Sequence, residues 1–97
     1  MTIETTSAGD MGDVGALASQ RMELLRNVPF DNLTAGGSLT GNTTGFFDNS
    51  SAGFVVRWRI TDDATPPSVK TITVRAIAMR QVVGERKEIT LTTLRGR

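Results

Sequence analysis

Between Val14 and Val28 the apolar residues recur at three- and four-residue intervals: Val14, Leu17, Ala18, Met22, Leu25 and Val28, with Leu24 beside them. This spacing sets them on one face of a helix predicted to run over residues 10–28. Asp10 or Asp13 can cap the first turn, where a carboxylate accepts orphan amides and suits the positive end of the helix dipole. Gly12 and Gly15 weaken the opening turns, and Pro29 disfavours helical geometry at Val28, which ends the element. The residues ahead of the helix, "TIETTSAGD", read as a polar lead-in.

After Gly53 the period changes to two. Phe54, Val56, Trp58 and Ile60 alternate with Val55, Arg57, Arg59 and Thr61, the pattern of a strand with one buried and one wet face. Pro66-Pro67 marks a turn, because proline cannot sit in a central strand. Ile72, Val74, Ala76 and Ala78 then alternate with Thr71, Thr73, Arg75, Ile77 and Met79. Beyond a turn at Gly84, Ile89, Leu91 and Thr93 alternate with Thr90, Thr92 and Leu94. Consecutive strands on short connections pair antiparallel, so residues 54–95 are predicted to form a meander.

Residues 29–53, between helix and sheet, are dominated by Gly, Ser, Thr and Asn, the composition of a long αβ-loop. Phe30, Leu33, Leu39, Phe46 and Phe47 are its apolar residues. They pin the loop to the core, or else Phe46 or Phe47 is left exposed as a partner contact. A fourth short strand can come from this loop. A sheet with one apolar face needs a cover, and the N-terminal helix is the one available. The expected fold is α+β, one domain over residues 1–97, with the helix packed on an antiparallel sheet of three to four strands.

Composition removes most chemistry. The 97 residues include no cysteine and no histidine. Disulfides, thiolate or Ser-His-Asp nucleophiles, His/Cys zinc sites and an imidazole proton shuttle are therefore excluded. The glycine-rich loop contains neither a phosphate-cradle lysine motif nor a dinucleotide fingerprint. The chain is read as a non-enzyme with no cofactor. Asp62-Asp63 are the only adjacent acidic pair; in a loop they could hold calcium, although EF-hand spacing is missing and a solvated turn accounts for them as well. Sequons at Asn32, Asn42 and Asn49 matter only in a glycosylating compartment. No apolar run approaches the roughly 18 residues of a spanning helix, and no secretory signal is present.

Net charge is +1, but it is unevenly distributed: residues 1–56 carry two basic and six acidic side chains, residues 57–97 nine basic and four acidic. Arg57, Arg59 and Arg75 on the polar strand faces, with Arg80, Arg86 and Lys87 at the turn, are candidates for an acidic partner, nucleic acid or protein. A solvated, salt-bridged face explains them too, and Trp58 falls on the apolar side rather than forming a stacking platform.

Taken in order, "ALASQRMELLRNVPFDNL", a Gly/Ser/Thr loop, "FVVRWRITDD", "VKTITVRAIAM" and the terminal "ERKEITLTTLRGR" resemble the soluble part of a PilV-type minor pilin of bacterial type IV pili, a family related to the minor pseudopilins of type II secretion. The resemblance covers residues 16–97. It implies a structural subunit whose helix continues upstream into an inner-membrane anchor. In that setting Val14, Leu17, Ala18, Met22, Leu24, Leu25 and Val28 serve helix packing and assembly. Phe46, Phe47, Arg57, Arg59 and Arg75 are candidate partner contacts. The implied partners are other minor pilins and the major pilin, or pseudopilins, first at the inner membrane with a periplasmic domain and then in an extracellular pilus. The family's leader, its cleavage after glycine, its methylated first residue and its acidic fifth residue have no counterpart in Thr2-Ile3-Glu4, as expected of a domain cut just after the anchor. The other functional class left open is a nucleic-acid-binding module using the basic strand face.

Overall fold

Helix α1 (Gly12–Arg26) forms where the apolar spacing puts it, in a computed structural model that describes residues 2–5, 12–62, 69–79 and 88–96. Its length of about 22 Å follows from a rise of ~1.5 Å per residue. Val14, Ala18, Met22 and Leu25 are buried, and this stripe lies mainly over the middle of the sheet. The stripe is narrower than the sequence pattern: Leu17 and Val28 are half-buried, and Leu24 is 52% exposed. Leu24 sits between Met22 and Leu25 in sequence, but roughly 100° per residue turns it off the face they share. Asp13 lies inside the helix rather than at its cap, and Asp10 is outside the described residues.

The sheet is antiparallel, in the spatial order β1 (Thr2–Thr5), β6 (Glu88–Gly96), β5 (Val69–Ala78), β4 (Phe54–Asp62), β2 (Gly36–Gly37), with β3 (Phe47–Asp48) also on β4. Its three long strands are β4 (Phe54–Asp62), β5 (Val69–Ala78) and β6 (Glu88–Gly96), the expected meander. Register aligns Trp58 with Val74 and Val74 with Leu91, so one face carries Val56, Trp58, Ile60, Ile72, Val74, Ala76, Ile89 and Leu91 beneath α1. The helix-on-sheet α+β architecture is thus observed. The turns at Pro66-Pro67 and Gly84 lie outside the described residues.

Three short strands enlarge the sheet beyond the predicted three or four. The loop supplies two, β2 (Gly36–Gly37) opposite Ile60–Arg59 and β3 (Phe47–Asp48) opposite Arg57–Val56, both along the free side of β4. The third corrects the reading of the first residues as a lead-in. Thr2–Thr5 form β1, paired with Thr92–Ile89 of β6. Four residues are too short to show a period against a polar background, and the open side of β6 provides the backbone partners.

Glycine at position 37 is required by the loop's approach to β4. Its φ is +96°, in the left-handed region, and a Cβ there would collide with the Trp58 carbonyl oxygen. The Phe46 ring covers the space beside Gly36 and Gly37. Phe46 packs on the core cluster, Phe47 is half-buried, and Phe30 and Leu33 are buried, so the loop is pinned and neither Phe46 nor Phe47 stands out into solvent.

The second face of the sheet is drier than its alternation predicts. Val55 and Ile77, register partners, are both buried. The loop returns over this face: Arg75 Nη1 donates to the Leu39 carbonyl at 2.8 Å, and Arg57 Nε donates to Asn42 Oδ1 at 2.9 Å. Those long-range contacts are invisible to a period-two reading.

Two cations fix the end of α1 and the turn that follows it to the sheet. Lys70 and Arg95 are register partners on neighbouring strands. Arg95 Nη1 donates to the carbonyls of Arg26 and Val28 at 2.8 and 2.6 Å, meeting orphan acceptors at the negative end of the helix dipole. Lys70 is only 7% exposed. Its Nζ donates to the carbonyls of Phe30 and Leu33 at 2.8 and 2.6 Å, around a 3-10 turn (Phe30–Asn32), and lies 4.4 Å from the Phe30 ring centroid.

Candidate functional site

A cleft of about 210 Å³ lies between α1 and the start of β4. Helical spacing puts Leu17, Gln20, Arg21 and Leu24 along one wall. Asp48, Ser50, Ser51, Phe54 and Val56 complete it. Arg21 Nη2 meets Asp48 Oδ2 at 2.8 Å while its guanidinium lies 4.4 Å from the Trp58 ring centroid. The cation therefore joins helix, loop and strand at one point.

Asp48 is prepared for this role by its own turn. Its Oδ1 accepts the Ser50 amide at 2.8 Å, an Asx turn of the kind Asp-x-Ser sequences favour. Hydrogen bonding from Ser50, through side chain and backbone, holds the carboxyl below its ordinary value of 3.8; nearby Arg21 adds to this, and partial desolvation opposes it. A carboxyl with a depressed folded pKa adds stability above its unfolded pKa, and that stability is lost as pH falls through the folded value. The advantage of the native chain over Asp48→Asn in urea unfolding is therefore expected to be present at about pH 6 and to shrink as pH falls below about 3.8. A gap that stayed constant across that range would refute the assignment.

Of the residues singled out from sequence, Leu17 and Leu24 come together at this cleft, whereas Val14, Ala18, Met22 and Leu25 are committed to the core. The basic group does not form one open patch. Arg75 is engaged by Glu88 at 2.6 Å and by Leu39, and Arg57 by Asn42. Arg59 is exposed, with no carboxylate partner among the described residues. Arg80, Arg86 and Lys87 lie outside the described residues, as does Asp63. Among the described residues no group of three acidic side chains is gathered to hold a cation.

Sequence reasoning missed Arg21, Asp48 and Ser50. Arg21 carried a usable signal, sitting four residues after Leu17 and three before Leu24 on the same helical row. Asp48 carried only a local one, and its pairing with a side chain 27 positions away needed the fold.

The arrangement defines a small α+β domain with a cleft lined by polar and apolar side chains. Compared with protein-family models, curated proteins and solved structures, the chain matches none. No helix among the described residues is long and apolar enough to cross a membrane.

Proposed function

We propose that this chain is the periplasmic domain of a minor pilin, a structural subunit that helps prime a type IV pilus and sits at or near its tip. The single observation carrying the reading is the division of α1 into a narrow buried stripe and a flank, turned roughly 100° from it, on which Leu24, 52% exposed, forms the rim of a cleft. With half-buried Leu17 two turns away on the same cleft, Leu24 offers a neighbouring subunit an apolar contact whose loss would not unfold the domain. The order of helix, pinned loop and meander agrees with the resemblance in the sequence. One feature has to change in an assembled filament: a helix continuing upstream into an anchor requires Thr2–Thr5 to leave β6.

The test is made on the full-length protein in its native cell. Leu24→Glu is expected to leave the circular dichroism of the purified domain unchanged, since the side chain is largely in solvent, and to remove the protein from sheared filament fractions. If deleting the gene lowers protein secretion instead of piliation, the subunit is a minor pseudopilin. Normal piliation and normal secretion in the deletion strain would overturn both.

The nucleic-acid reading is less well supported, because Arg75 and Arg57 are occupied within the fold. Its sign would be binding that weakens steeply with salt.

A further inference from the structure

The two sides of the sheet are finished differently. Along β4 the backbone is met near both ends, by β2 at Arg59–Ile60 and by β3 at Val56–Arg57. Along β6 it is met only from Ile89 to Thr92, by β1. Thr93–Gly96 have no strand on that side among the described residues, and this uncovered stretch displays Leu94, 69% exposed. An open edge with an exposed large apolar residue is a template for pairing with another chain.

We infer that the β1–β6 seam is an exchange interface, at which β1 of a second copy of this chain replaces the resident β1 and joins two copies. The second copy is the occupant because its β1 brings the same residues in the same register: Thr2 opposite Thr92, Ile3 opposite Leu91, Glu4 opposite Thr90 and Thr5 opposite Ile89. Exchange therefore keeps every pairing the single chain makes, the condition under which swapping an identical element is inexpensive. The seam is also short beside those between the long strands, with four paired residues where β4–β5 and β5–β6 have nine each. Terminal elements held by so few pairs are the first to open. Six residues, 6–11, separate β1 from α1, a length that spans at most about 20 Å at ~3.3–3.6 Å per residue. Leu94 lies two residues past the Thr2–Thr92 pair, on the stretch of β6 that the β1 ladder leaves uncovered. The inference does not rest on the pilus reading and concerns the chain with β1 formed: a filament whose helix continues upstream has no β1 to exchange.

The absence of native cysteine makes the test clean. Directly opposite residues of an antiparallel pair lie about 4.5–5.5 Å apart at Cα, within disulfide range. Thr2→Cys and isotope-labelled Thr92→Cys are purified separately, mixed, held to allow exchange, and mildly oxidised. The expected product is a labelled–unlabelled covalent dimer at twice the 10.4 kDa chain mass, rising with concentration. A control mixture of Thr2→Cys with labelled Thr34→Cys, whose thiol is exposed away from the seam, is expected to lack it. Equal heterodimer in both mixtures, or none in either, overturns the proposal. The Thr2→Cys/Thr92→Cys double variant provides a second reading: covalent dimer at high concentration supports exchange, and closure only within single chains at every concentration overturns it.

Discussion

Replacing Lys70 with methionine is expected to cost about 2–4 kcal/mol in denaturant unfolding, although the side chain lies outside the cleft and forms no salt bridge among the described residues. The loss comes from the two carbonyls it serves. Phe30 and Leu33 turn the chain from helix to loop over the buried end of the sheet, and Nζ answers both acceptors. Hydrogen bonds from a charged donor contribute about 1.5–3 kcal/mol each, and methionine keeps the stem's packing while leaving these carbonyls without that donor. Removing a buried charge offsets part of the loss, because burial of the ammonium is itself costly. For a domain near 100 residues the net corresponds to a fall in Tm on the order of 10–25 °C. Amide exchange should also speed up at Asn32 and Leu33, whose N–H groups bond to Pro29 and Phe30 within the same turn. Stability within about 0.5 kcal/mol of the native chain would show that the clamp is dispensable.

Met22→Ala tests the helix–sheet interface and is expected to lose about 2–5 kcal/mol, the range for truncating a fully buried side chain. Met22 is 1% exposed and sits in the core cluster with Trp58, Val74 and Leu91. Met22→Leu, which conserves volume, should lose less than about 1.5 kcal/mol. Leu24→Ala, two positions on, should change stability by no more than about 0.5 kcal/mol because that side chain is already mostly in water. Equal losses at 22 and 24 would contradict the orientation of α1. The contrast also separates folding from assembly, since a position that carries little stability can be altered in a cell without removing the domain.

The main elements were legible because each is written in local period. Val14, Ala18 and Met22 recur at four residues, and Val56, Trp58 and Ile60 at two, so hydrophobic burial alone selects helix and strand. The strand β1 was not legible, since four alternating residues in a Thr-rich segment acquire structure only from the β6 backbone they meet. Nor was the cleft. Its walls come from a helix and from a loop more than twenty residues later, and the Arg21–Asp48 pair at its centre spans 27 positions.

The sequence by itself determined the helix, the three-stranded meander, the α+β pairing of the two and the absence of cysteine and histidine chemistry, because those follow from periodicity and residue type. Tertiary structure decided which polar side chains remain available. Arg57, Arg59 and Arg75 look equivalent along the chain, yet folding brings Asn42 to the first and Leu39 and Glu88 to the third, leaving Arg59 exposed. The reason is physical: burial of apolar surface depends on a residue's own character and its near neighbours, whereas satisfying a charge depends on which distant acceptors the fold delivers.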